Sequence, residues 1–305
     1  MRYRLLVDAS SLLYRAFFSI PASVVNRAGE PVNAVHGYLD MTSHLLRSRQ
    51  PDELVHVHDH DWRPAPRVRA YAGYKASRPE EPDALARQFD VLGEVLEAAG
   101  FAQAEAPGWE AEDAIGALCA AADSGTRTDV VTGDRDLVQL VHDPAVRVLF
   151  TVRGVSELRE LDEAAIETKY GIPARRYADF AILRGDPSDG LPGVRGVGEK
   201  TARVLVRTYP DLVALVADAT APKRTGAPLQ RSPALRAAIR DAAGYLEAMR
   251  EVVPIRTEVA VRTRRGARSD ARLEELAERH ALGGPVRRLR QALDARGERG
   301  RAGLR

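Results

Sequence analysis

The chain has 305 residues, 45% hydrophobic and 29% charged, a composition that excludes wholesale disorder, collagen-like repeats and a disulfide-rich miniprotein. The chain has a single cysteine, Cys119, which excludes an intramolecular disulfide and a cysteine zinc site. The apolar run near the first residue is too short to predict a signal peptide or a membrane anchor. We therefore expect a cytoplasmic protein. Net charge is only +2, but residues 261–305 hold thirteen arginines against six acids, which predicts a polyanionic partner.

The first part of the chain alternates apolar strands with helices. Residues 3–9 (YRLLVDA) predict a buried strand that ends in Asp8, and a serine after it is suited to cap a helix. The pattern then recurs, with predicted strands at 54–58 and 128–134 and helices at 34–49, 82–99 and 110–123. This alternation predicts an α/β fold with a mainly parallel central sheet and helices on both faces. Because the carboxyl ends of parallel strands meet at one edge, Asp8, Asp59 and Asp134 are expected to converge there.

Residues 61–81 interrupt this alternation and read as a long functional loop. The segment mixes proline with cations and aromatic rings and has no helical or strand periodicity. Cations that contact phosphates and rings that stack on bases suit a single nucleic-acid strand. The residues that carry this interpretation are Trp62, Arg63, Arg67, Arg69, Tyr71, Tyr74, Lys75 and Arg78. A solvated surface face is the alternative, although it leaves the rings without a role.

From about residue 171 the strand signals disappear, and helices with glycine-rich connections dominate. We therefore predict an α/β domain over 1–170, a helical subdomain over 171–292 and a disordered basic tail over 293–305. Within the subdomain, GLPGVRGVGEKTA (190–202) predicts a tight turn that opens a helix. Its backbone amides are suited to approach a phosphate without reading bases, and its carbonyls to hold a monovalent cation such as K⁺. An ordinary helix–helix turn is the alternative. The predicted contacts are Gly193, Gly196, Gly198, Lys200 and Thr201.

Acidic residues recur at element boundaries in five separate segments. They are Asp8, the Asp59/Asp61 pair, Glu110 with Glu112 and Asp113, Asp134 with Asp136, and Asp186 with Asp189. Taken singly, each suits a helix cap or a surface charge; clustered, they would repel one another unless cations were bound. Oxygen-only ligands favour Mg²⁺ or Mn²⁺ over zinc, and two such ions suit phosphodiester hydrolysis. His56, His58 and His60 alternate along one strand, and we interpret them as one partly wet face.

These segments resemble the structure-specific 5′ nuclease (flap endonuclease) family, and especially the 5′-3′ exonuclease domain of bacterial DNA polymerase I. The resemblance covers residues 3 to 292. The matching motifs are LLVDASSLLYRAFF, AYAGYKASR, GWEAEDAIGAL, VVTGDRDLVQLV and LRGDPSDGLPGVRGVGEKTA. It implies a PIN-like central sheet, a helical arch at about 61–81 and a helix-hairpin-helix subdomain. Because nothing of polymerase type follows residue 292, we expect a free-standing, monomeric nuclease.

The resemblance also implies residue roles. Asp8, Glu110, Glu112 and Asp113, with Asp59 beside them, match the first metal group, and Asp134, Asp136, Asp186 and Asp189 match the second. Lys75 and Arg78 match arch residues that contact the scissile phosphate, and Arg67 and Tyr74 lie among the expected DNA contacts. The implied activity is metal-dependent 5′-3′ exonuclease or 5′-flap endonuclease cleavage of branched or nicked DNA, with RNA–DNA hybrids also expected, in primer removal and repair.

Two departures from the family pattern affect the predicted ligands. Glu112 stands where relatives commonly have aspartate, and one extra residue separates Asp59 from Arg67. Asp61 is therefore an alternative ligand to Asp59, which we prefer because it directly ends the apolar strand. A non-catalytic DNA-junction binder is the rival function, although all motif positions remain acidic. A PIN-type RNA-cutting toxin fits the acids but neither the length nor the glycine hairpin.

Overall fold

A seven-stranded sheet forms the centre of the computed structural model, which describes residues 1–222 and 227–302. The strands are β1 (Arg2–Asp8), β2 (Glu53–His58), β3 (Ala102–Glu105), β4 (Thr126–Thr132), β5 (Val146–Arg153), β6 (Glu157–Leu161) and β7 (Arg262–Arg265). Their order is β6-β5-β4-β1-β2-β3-β7. Strands β1 to β5 run parallel to one another, and β6 and β7 are antiparallel edges. The predicted α/β class with a mainly parallel sheet is confirmed.

Helices cover both faces of the sheet. They are α1 (Ala9–Ser19), α2 (Asn33–Arg49), α3 (Ala65–Ala70), α4 (Asp83–Ala98), α5 (Ala111–Ala120), α6 (Glu163–Tyr170), α7 (Tyr177–Arg184), α8 (Glu199–Thr208), α9 (Leu212–Thr220), α10 (Ala227–Arg231), α11 (Pro233–Asp241), α12 (Ala243–Val252), α13 (Asp270–Arg279) and α14 (Gly283–Ala302). Among the described helices, none combines the length and apolar character needed to span a membrane.

Side-chain alternation along the strands separates two hydrophobic cores. In β1, Leu5 and Val7 join the core formed with α1, α2, α4, α13 and α14. Leu6 lies on the opposite face, in the core formed with α5 and the helices between α6 and α12. The sheet is thus the middle layer between two helical layers, and the carboxyl ends of its parallel strands are left open at one edge.

The C-terminal part of the chain returns to the first half of the molecule. Strand β7 pairs with β3, and α13 and α14 pack on α4 and α2. Sequence reasoning missed β7 because it is a four-residue, arginine-rich edge strand with no apolar alternation. The predicted disordered tail over 293–305 was also wrong as far as Ala302, where α14 ends, since a buried stripe that includes Leu289 and Ala292 anchors this helix. Residues 303–305 lie outside the described part of the chain.

Ion pairs neutralise much of the basic C-terminal region. Arg268 pairs with Asp270 and Asp294, and Arg288 forms two bonds to Asp40 on α2, at 2.7 and 2.9 Å. Arg272 and Arg290 are likewise paired with carboxylates. Two of these pairs, Arg272 with Glu94 and Arg288 with Asp40, link α13 and α14 to α4 and α2. The excess of arginines is therefore a weaker indication of a polyanionic partner than the charge count suggests.

The segment 61–81 is compact over its first half. It holds the short helix α3, which packs against α12, followed by turns. Arg67, Tyr74 and Lys75 are all buried, whereas residues 76–83 are exposed and lead into α4. The segment expected to form the arch is therefore not open throughout: Arg67, Tyr74 and Lys75 are engaged in internal contacts, whereas Trp62 and Arg69 remain exposed.

Candidate active site

The open edge of the sheet brings together Asp8, Asp59 and Asp134. Asp8 is the last residue of β1, and the other two follow β2 and β4. Asp8 caps helix α1: its Oδ1 accepts from the Ser11 N–H at 3.0 Å and its Oδ2 from the Thr132 hydroxyl at 2.7 Å. Burial, followed by the charge of Asp59, raises the pKa of Asp8 to about 7. Two hydrogen bonds thus hold this carboxylate, and among the described residues it forms no ion pair with a side-chain cation.

Asp59 and Asp61 have different surroundings. Asp59 accepts from the Ala111 N–H at 2.7 Å, so its carboxylate lies at the N-terminus of α5, and its charge acts on Asp8. Asp61 turns away, because its Oδ1 accepts from the Arg63 N–H at 2.9 Å within its own loop. The geometry therefore favours Asp59 as the member of the acidic cluster.

The remaining acids extend the cluster along the same edge. Asp136 opens a 3₁₀ turn, and Asp186 and Asp189 bracket another. Loss of hydration in the cleft, and then the charge of Glu112, raise the pKa of Asp134 to about 6. The pKa of Asp136 is raised well above its usual value by burial and by the charges of Asp134, Glu112, Asp189 and Asp186. Mutual repulsion of this kind is what bound cations relieve, so the all-oxygen donor set fits divalent metal ions.

A buried arginine binds the three acids at the start of α5. Arg67 is 0% exposed; it forms an ion pair with Glu110, and its contacts with Glu112 and Asp113 measure 2.6 and 2.8 Å. Oxygens of these three acids lie within 4.8 Å of one another. Burial and the charge of Glu112 raise the pKa of Asp113 to about 7, although Arg67 opposes the shift. Arg67 therefore lies inside the acidic site, and our expectation that it contacts DNA directly does not match its position here.

Tyr74 and Lys75 complete this cluster. The Tyr74 hydroxyl donates to Glu110 at 2.6 Å, and Lys75 Nζ is ion-paired with the same carboxylate. Tyr74 is only 3% exposed, so its predicted contact with DNA also conflicts with this conformation. Sequence spacing offered no sign of these contacts, because at least 35 residues separate Glu110 from either partner.

Lys75 and Arg78 lie on a segment that docks onto the second group of acids. Lys75 has a left-handed backbone, with φ of 51°, and its N–H donates to the Asp189 carbonyl at 2.9 Å. Arg78 donates to the Asp189 carboxylate at 2.5 Å and to the Ser188 carbonyl at 3.2 Å. Both cations predicted to contact phosphate thus reach the acidic cleft, each held by a carboxylate.

The glycine hairpin joins α7 to α8. Gly196, Gly198 and Lys200 are exposed, Thr201 is half-buried, and Gly198 is the N-cap of α8. Gly193 differs, because its N–H donates to the Tyr245 hydroxyl at 3.1 Å, and this amide is therefore not free for the predicted phosphate contact. Tyr245 also donates to the Ile182 carbonyl at 3.1 Å. Sequence reasoning missed this residue, since it lies alone in a helix far from the motif.

Comparison with known proteins shows which family the chain resembles. A family model described as 5′-3′ exonuclease, N-terminal resolvase-like domain, matches residues 4–171, and one described as 5′-3′ exonuclease, C-terminal SAM fold, matches residues 172–276. A 5′-3′ exonuclease of Streptomyces coelicolor is 43% identical, covering 95% of this chain and 100% of the relative. A 5′-3′ exonuclease of Mycobacterium tuberculosis is 39% identical, with coverage of 95% and 97%.

Two solved structures share the fold at lower identity. The T5 5′-exonuclease with bound zinc superposes with a TM-score of 0.62 at 16% identity, covering 97% of this chain and 100% of that one. The catalytic core of Rad2 in complex with a DNA substrate gives 0.59 at 17% identity, with coverage of 97% and 92%. At these identities the likeness concerns the fold.

Proposed function

Because the chain belongs to the 5′-3′ exonuclease family, as its motifs indicated, we propose that it hydrolyses phosphodiesters at the 5′ ends of nicked or branched DNA. The observation that carries this is the row of carboxylates at the open edge of the sheet, which lies beside two cations and a glycine hairpin. Removal of 5′ flaps and RNA primers in replication and repair is the role that suits such an activity, and RNA–DNA hybrids belong to the proposed substrates.

We assign the carboxylates to two Mg²⁺ or Mn²⁺ ions. Asp8, Asp59 and Glu112, with Glu110 and Asp113 behind them, would hold one ion, and Asp134, Asp136, Asp186 and Asp189 the other. Bound divalent ions of this kind activate water and stabilise the leaving oxygen. Of the chain's own residues, Arg67 holds Glu110 and Asp113 in place, while Lys75 and Arg78 supply positive charge for the transferring phosphate.

The hairpin is the proposed grip on the DNA backbone. Apart from their chain neighbours, no described residue has an atom within 4 Å of the position that a Cβ would occupy on Gly196 or Gly198. A phosphate therefore has room to approach their backbone, and Lys200 lies in the first turn of α8. Such contacts carry no sequence information. A K⁺ ion held by the hairpin carbonyls belongs to the same proposal, and we expect a monomer to suffice.

The test is cleavage of labelled nicked, 5′-flap and single-stranded substrates by the purified chain with Mg²⁺ or Mn²⁺. Asp134→Ala and Asp186→Ala are expected to abolish cleavage while duplex binding persists or tightens, since the repulsion of phosphates falls. Asp61→Ala is the matched control, because the Asp61 carboxylate accepts a hydrogen bond within its own loop. This variant is expected to cut at the wild-type rate. Wild-type protein that binds junctions without cutting any substrate would favour the junction-binding alternative.

A further inference from the structure

A cavity of about 670 Å³ opens beside the acidic edge, between α1, the loop after β2, and α4. Its volume lies within the range of about 300–1,000 Å³ typical of small-ligand sites. Asp59 and Ser10 line the side nearest the acids, and Tyr14, Trp62 and Phe89 contribute aromatic rings. The cavity is therefore continuous with the cleft where we place phosphodiester hydrolysis.

Trp62 has fewer partners than the other two rings. It is 45% exposed, and in the described part of the chain its indole has no hydrogen-bond, ion-pair or ring partner. Tyr14, in contrast, donates to Glu81 at 2.7 Å and packs against Phe89, with ring centroids 6.2 Å apart. An exposed tryptophan at the mouth of a cavity is suited to stack on a flat ligand.

The backbone on both sides of Trp62 is fixed. The N–H groups of His60 and Asp61 donate to the Trp109 carbonyl at 3.2 and 3.0 Å. On the other side, the Arg63 side chain donates to the carbonyls of residues 74 and 72 at 2.8 and 2.9 Å. The indole is thus presented to solvent by an anchored loop, which lowers the entropy lost when a ligand stacks on it.

The charges around the cavity select the kind of ligand. Among the described residues that line its wall are six carboxylates, including Glu81, Asp90 and Glu94, and one arginine, Arg264. This excess of negative charge repels phosphate groups. A nucleobase is flat, aromatic and uncharged, and its exocyclic amino groups suit carboxylate acceptors. We propose that this cavity receives one unpaired nucleobase of the substrate's 5′ strand, stacked on Trp62, while the adjoining phosphate stays at the acidic cleft. This proposal rests on the proposed function.

The experiment uses the full chain carrying Trp109→Phe, which leaves Trp62 as its single tryptophan. Its fluorescence is titrated, in EDTA so that no cleavage occurs, with a hairpin DNA that bears a short 5′ flap, and with a series in which one flap nucleotide at a time is abasic. We expect the flap to quench Trp62 and one abasic position to abolish the quenching. Trp62→Ala should weaken flap binding by about 5- to 100-fold, as loss of one stacked base does.

Three controls separate stacking from other effects. Trp62→Phe should restore most of the affinity, and Phe18→Ala, which removes an exposed ring outside this cavity, should show no dependence on the abasic position. On the critical abasic flap, Trp62→Ala should cause no further loss, because the partner base is already missing. Equal quenching by every abasic flap, or additive losses, would overturn the proposal. Wild-type cleavage of a nicked, flap-free duplex with Mg²⁺ tests the nuclease function separately.

Discussion

The buried carboxyl group of Asp8 shows how a single residue in the cleft responds to the negative charge around it. Asp8 receives two hydrogen bonds, yet burial and Asp59 raise its pKa to about 7 from 3.8. The folded, metal-free protein thus binds this proton more tightly than the unfolded chain does. The contribution of Asp8 to stability is therefore fully present at low pH, below its unfolded pKa, and is lost as pH rises through about 7.

The predicted loss of stability with rising pH can be tested by thermal unfolding of the metal-free protein. From about pH 5 to about pH 8, Asp8 alone should lower the free energy of unfolding by about 3 kcal/mol. Asp8→Asn should remove part of this loss, and added Mn²⁺ should raise the Tm of the wild type more at the higher pH. A metal-free Tm that rises across this interval would contradict the assignment.

Lys75 provides a second test at the scale of one residue. Its ammonium is held by Glu110 at the acidic cleft, so its charge is placed for the transferring phosphate and contributes little to initial binding. Lys75→Ala should lower the single-turnover rate by about 100-fold, with DNA affinity changed by less than about threefold. Arg69→Ala, at an exposed position of α3, should do the reverse. Proportional loss of rate and affinity in Lys75→Ala would exclude the catalytic role.

At the scale of elements, the segment that carries Lys75 is positioned by the turn at Asp186–Gly190. Besides the bond from the Lys75 N–H to Asp189, Gly190 packs so closely that a Cβ there would lie 2.4 Å from the Gly73 carbonyl oxygen. These contacts fix the position of the Lys75 segment relative to the second acidic group.

Gly190→Ala tests this coupling. The added methyl group should displace the Lys75 segment and lower the cleavage rate by more than about 10-fold, while the hairpin keeps its hold on duplex DNA. Gly29→Ala is the matched control, because Gly29 has a similar positive φ, 79° against 72°, but nothing within 4 Å. Both variants bear a backbone cost of about 1–2 kcal/mol. Equal activity in the two would mean that contact with Gly73 is unimportant.

At the scale of the whole molecule, the chain closes on itself through β7, α13 and α14. The side chains of Leu273, Leu276, Leu282, Val286 and Leu289 are at most 2% exposed and fill one of the two cores. At about 1.5–3 kcal/mol for each buried aliphatic side chain, their burial is comparable with the whole net stability of a domain, about 5–15 kcal/mol.

A chain that ends at Val261 should therefore fail to give a cooperative thermal transition, although every predicted catalytic residue remains. A chain that ends at Arg296 keeps the buried stripe of α14 and should melt close to the full-length protein. Circular dichroism of the two during heating decides the matter. A cooperative melt of the shorter chain would show that the first 261 residues fold independently of the returning segment.

The alternation of strands and helices, the convergence of Asp8, Asp59 and Asp134, and the family motifs were all readable from the sequence. Each depends on local periodicity, together with the rule that parallel strands end at one edge. Tertiary structure alone decided that Arg67 is buried among the acids, that Tyr245 binds the hairpin and that β7 pairs with β3. These outcomes depend on desolvation and on contacts between segments far apart in the chain. The local sequence around any one of these residues does not indicate which distant residue it contacts.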